Sequence, residues 1–119
     1  MDLDSVTILF QLFVGDEAEV EDYSSIISMA ILEVEQMLRD SAEESDTQLN
    51  FLAAAIATLR YVEITAARDR AACTFAGTVA VAQNTDAQQK LMFAKELVAI
   101  YRAQCRDLLK DNLFFFHAV

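Results

Sequence analysis

Apolar residues recur along this chain at helical spacing in four stretches. The first carries Val6, Leu9, Phe10 and Phe13, an i, i+3, i+4, i+7 pattern. Asp4 or Ser5 is placed to cap its start, and Gly15 to close its end, where a positive φ costs glycine little. The second opens on the acidic run Asp16–Asp22 and continues as one stripe of Tyr23, Ile26, Ile27, Ala30, Ile31, Val34, Met37 and Leu38. Acids in a first turn complement the positive end of a helix, and Glu33, Glu35 and Asp40 lie off the stripe.

Residues 41–46 form a polar connection. Ser45 with Gln48 reads as a capping box, predicting a third helix from about Thr47 to about Ala72. Leu49, Leu52, Ile56 and Leu59, with Glu63 at the end of the row, make one line along it, and Ala53, Ala57, Ile64 and Ala67 another. Apolar residues on several faces predict a central helix covered on more than one side. Residues 74–85 break the period. They are rich in Val and Thr, contain Gly77 and carry no charge before Asp86, which predicts an irregular or short extended segment. Thr85 with Gln88 reads as a second capping box. The fourth helix then runs to about Lys110, its stripe being Leu91, Ala94, Leu97, Val98, Tyr101, Cys105, Leu108 and Leu109. Residues 112–119 read as an extended tail. The expected fold is all-α: one domain over residues 1–119, of about four helices.

Composition agrees with that reading. The chain has 119 residues, no proline and two glycines, whereas sheet-rich folds call for turn residues every few positions. Hydrophobic residues make up 55%, above the usual ~45–50%, so part of the apolar surface is expected to seek a partner. The aromatic tail Phe114-Phe115-Phe116 is the plainest case. In a strand, Phe114 and Phe116 face one way and Phe115 the other. One side can serve the chain's own core, and the other then wants a second surface.

Charge divides along the chain. Residues 1–50 hold 13 acids and one base, and residues 51–119 hold six acids and eight bases, for a net −10. Unlike ends favour head-to-tail contact between copies, which closes into a ring when the rotation permits. The expected contact residues are Asp16, Glu17, Glu19, Glu21 and Asp22 on the acidic side. On the other side are Arg60, Arg68 and Arg70, with Val79 and Val81 from the uncharged segment and Phe114, Phe115 and Phe116 from the tail. A strongly acidic chain repels phosphate, so neither nucleic acid nor an anionic membrane is an expected partner.

Catalytic and metal-binding chemistry is not written in the sequence. The sole histidine, His117, lies in the tail. Cys73 and Cys105 have no metal-ligand spacing and read as small buried apolar residues. There is no inward-facing Glu-x-x-His pair, calcium loop or phosphate-cradling glycine loop. No cofactor and no enzyme activity are expected. The N-terminus has no positive signal-peptide region, and the longest uncharged run, residues 71–85, is short of a membrane span. A soluble intracellular protein is expected.

The order of elements resembles the small helical head–tail connector (head-completion or adaptor) proteins of tailed bacteriophages and prophages. The resemblance rests on residues 6–13, on Gly15-Asp16-Glu17 with the acidic turn, on residues 23–34, on the Ala-rich stretch 50–67, on Phe75–Val79 and on Phe114–Phe116. It implies a structural role without cofactor or substrate: an oligomeric ring bridging portal and tail, in the host cytoplasm and then the virion. The alternative reading is a small helical adaptor or regulator that binds another protein.

Overall fold

In the computed structural model, four helices follow one another: α1 (Leu3–Val14), α2 (Val20–Met37), α3 (Thr47–Ala76) and α4 (Val81–Gln104), with a 3₁₀ turn over Arg106–Leu108. The structure describes residues 1–15, 20–40, 42–43, 46–76 and 81–110, with backbone alone at 20–22, 69–76 and 81–86. Among the described residues there is no strand, only a single antiparallel bridge between Leu38 and Leu109. The all-α architecture read from the sequence is the architecture observed.

Each helix starts and stops for local reasons. The cap of α1 is Asp2 rather than Asp4 or Ser5. Its carboxylate accepts from the Asp4 N–H at 3.3 Å and from the Ser5 hydroxyl at 2.8 Å. The Asp2 N–H donates to the Asn50 side-chain oxygen at 3.1 Å, which ties the start of α1 to α3. Gly15 closes α1 with φ +78°, and a Cβ there would meet nothing within 4 Å, so the dihedral alone explains the glycine. At α3 the Asp46 carboxylate accepts from the Gln48 N–H at 2.9 Å, so Asp46 carries the cap expected of Ser45, which lies outside the described residues.

Helix α3 is the spine. The other three helices all pack on it, and residues 52–58 are buried without interruption. Ala53, Ala54, Ala55 and Ala57 have no exposed area, as expected where neighbouring helices close in from several sides. Residues Thr47–Arg68 are long and apolar enough, by length and composition, to cross a membrane, yet half of that stretch is buried by the protein itself. Its buried apolar residues belong to the core, while Phe51 and Ile64 of the same stretch are exposed. The α2 stripe is buried at Ile27, Ala30, Val34 and Leu38, and the α4 stripe at Ala94, Val98, Cys105 and Leu109.

The segment 74–85 departs from expectation. Helix α3 continues to Ala76 and α4 already begins at Val81, so Thr85 lies inside a helix rather than at its start. Only residues 77–80 separate the two helices, and they lie outside the described residues, as does the tail 111–119. At about 1.5 Å per residue α3 is about 45 Å long against about 18 Å for α1, and the molecule measures 53 Å in its longest dimension. Among the residues whose side chains are described, the last buried one on α3 is Val62 and the first on α4 is Ala94. Ile64 and Ala67, expected in the buried lines of α3, lie past that limit and are exposed.

Candidate contact surfaces

Two tyrosines of the interior join three helices each. Tyr61 of α3 meets Phe10 of α1 at a ring separation of 5.8 Å and Tyr23 of α2 at 4.7 Å, both edge to face. Tyr101 of α4 meets Phe13 of α1 at 6.0 Å and stacks on Phe51 of α3 at 5.3 Å. These contacts, with the buried cluster around Val6, Leu49 and Leu52, make one continuous core. Apolar surface left outside it calls for a separate explanation.

That surface lies on three helices. On α1, Ile8 and Leu12 project opposite the buried Val6 and Phe10, and Leu12 is 71% exposed. On α2, Met29 is 60% and Leu32 49% exposed, opposite Ile27 and Val34. On α4, Phe93 and Ile100 are about half exposed, with partly buried Leu97 between them, an i, i+4, i+7 row beside the core stripe. None of these residues was among the contact residues expected from charge and tail composition. Their signal was present in the sequence as apolar residues spaced by three or four, away from the main stripe on α1 and α2 and beside it on α4.

The charged residues expected at the contact fare differently. Arg60 is engaged within its own chain, donating from Nη2 to Glu33 at 2.9 Å and from Nη1 to Glu63 at 3.0 Å. The hydrogen bond to Glu33 is the main cause that raises its pKa above the ordinary arginine value. This ion pair links α2 to α3 at the surface, where the Arg60 side chain stays 47% exposed. Arg68 is exposed on α3. Arg70 lies on α3, Val81 at the first position of α4, and Glu21 and Asp22 in the first turn of α2, described by backbone only. Asp16, Glu17, Glu19, Val79, Phe114, Phe115 and Phe116 lie outside the described residues.

Two further polar groups sit against the core. Burial lowers the Arg102 pKa, and the nearby Glu33 charge partly offsets it. The Cys105 thiol, fully buried, is pushed up to about 11, first by burial and then by the negative charge of Asp46. Its Sγ donates to the Gln48 carbonyl at 3.4 Å. A thiol so disposed is a poor nucleophile, because the reactive form is the thiolate. Among the described residues no group of three His, Cys, Asp or Glu side chains is placed to hold a metal ion. What these surfaces offer is apolar contact bordered by charge. Comparison with protein-family models, curated proteins and solved structures finds no match.

Proposed function

We propose that this chain is an assembly protein that acts by protein–protein contact, first with copies of itself, as a head–tail connector of a tailed bacteriophage or prophage. The observation that supports contact as the activity is the set of outward apolar rows on α1, α2 and α4, left over beside a core that is already filled. Exposed apolar area arranged in rows is the mark of an interaction surface, whereas singly scattered apolar residues need no explanation. The charge division supplies direction. The acidic residues 16–22 of one copy face Arg68 and the α4 base Lys95 of the next, with charge setting orientation and encounter more than affinity. In this reading the protein works in the bacterial cytoplasm during assembly and ends in the virion.

The row Phe93, Leu97, Ile100 favours a second reading, a helical adaptor presenting α4 to a groove on another protein, since such anchors repeat at i, i+4 and i+7. Native mass spectrometry and light scattering at tens of micromolar, in low and high salt, separate the two. A defined oligomer supports the connector. A strict monomer under both conditions overturns self-assembly and leaves the adaptor.

A further inference from the structure

The outward row on α4 has the spacing of a coiled-coil seam. Lys90, Phe93, Leu97, Ile100 and Gln104 follow one another at steps of three, four, three and four. Leu97 is partly buried and the other four are exposed. The row covers about 21 Å of helix, at about 1.5 Å per residue. Asp107, also exposed, follows in the 3₁₀ turn at the Gln104 end.

This row is complementary to itself. An antiparallel second α4, turned about a two-fold axis between Leu97 and Ile100, brings its Ile100 opposite Leu97 and its Gln104 opposite Phe93. Each such pair then occurs twice. The same operation brings the turn carrying Asp107 to the level of Lys90 at both ends, acid against base. Lys90 already has an interaction within its own chain. Its ammonium carries three donors, so a carboxylate of the second copy adds to that contact and does not replace it. Glu96, at the edge of the row, falls across from Ala103 and not from another acid. Parallel helices would instead set Lys90 against Lys90 and Asp107 against Asp107, like charge on like.

We propose that the α4 row is the seat of α4 from a second copy, antiparallel and related by two-fold symmetry. The inference rests on the self-contact reading and names one of its surfaces. Lys95 lies about 160° around the helix from Leu97, so a head-to-tail contact through that base stays open to the same subunit.

Sedimentation equilibrium of the full chain at tens of micromolar is expected to give a dimer or an even multiple of it. Ile100→Lys is expected to abolish the pairing with helical circular dichroism unchanged. Phe93→Ser tests the same row from a second position should the lysine variant lose helix. Lys90→Glu and Asp107→Lys, made separately, each set like charges at both ends and are expected to weaken the pair. Mixing these two variants in equal amounts is expected to restore it, because both ends of the mixed pair again join opposite charges. A parent chain that stays monomeric overturns this proposal together with self-assembly, and leaves the row to another protein. An oligomer whose mass is unchanged by both Ile100→Lys and Phe93→Ser overturns the α4 seat alone, with self-assembly through another surface intact. A mixture that associates no better than its separate components overturns the antiparallel pairing.

Discussion

The rings of Tyr23 and Tyr61 meet edge to face at 4.7 Å and 90°, and this contact joins α2 to α3. Phe10 reaches the same Tyr61 from α1 at 5.8 Å and 89°. Such pairs contribute about 0.5–1.5 kcal/mol each beyond their buried area. Tyr61→Leu, which keeps most of the bulk, is therefore expected to lower stability by about 1–3 kcal/mol. A double-mutant cycle with Tyr23→Leu, followed by urea unfolding, should return a coupling of about 0.5–1.5 kcal/mol. A coupling near zero would mean that the two helices are held by burial alone.

Cys105 makes stability depend on alkaline pH. The folded thiol titrates at about 11 against an ordinary 9.0, chiefly because burial disfavours its thiolate. The group's folded pKa is raised, so its contribution is fully present below pH 9. Between 9 and 11 the unfolded chain releases a proton that the folded chain keeps, and the contribution is lost as pH rises through that window. The loss is of order 1–3 kcal/mol. In a Cys73→Ser background, the stability gap between Cys105 and Cys105→Ala should narrow steadily across this window, and thiol reagents should react at pH 8 only as fast as the protein opens. Rapid labelling of the native protein, or a gap that does not change with pH, would show the thiol to be open to water.

Where periodicity is decisive, the sequence was legible. The α2 and α4 stripes predicted Ile27, Ala30, Val34, Ala94, Val98 and Cys105 as interior, and all are buried, because each of those helices presents one face to α3. Boundaries were less legible. Asp2, Asp4 and Ser5 are equally good capping residues by type, and the choice falls to Asp2, whose N–H also reaches Asn50 on α3. The Val- and Thr-rich stretch 74–85 read as extended, but intrinsic propensity is a weak preference that helix pairing overrides. The contact surface was the least legible part. Summed charge cannot show which bases are paired within the chain, as Arg60 is with Glu33 and Glu63. The outward apolar rows become meaningful only once the core is known to be filled without them.

The alanines of α3 test that same enclosure. Ala54 and Ala55 are adjacent, so their side chains leave the helix about 100° apart, and both have no exposed area. They sit within residues 52–58, nearly two full turns buried without a break, which a helix with only one covered face would not show. Enlarging either side chain then forces the neighbouring helices apart, and Ala54→Leu and Ala55→Leu are each expected to cost about 1–3 kcal/mol. Ala67 lies on the same helix past Val62 and is exposed, so Ala67→Leu should stay within about 0.5 kcal/mol of the parent. Urea midpoints for the three variants decide the matter. If Ala54→Leu or Ala55→Leu behaves like Ala67→Leu, that side of α3 is open, and its apolar length would then need a covering surface from outside the chain.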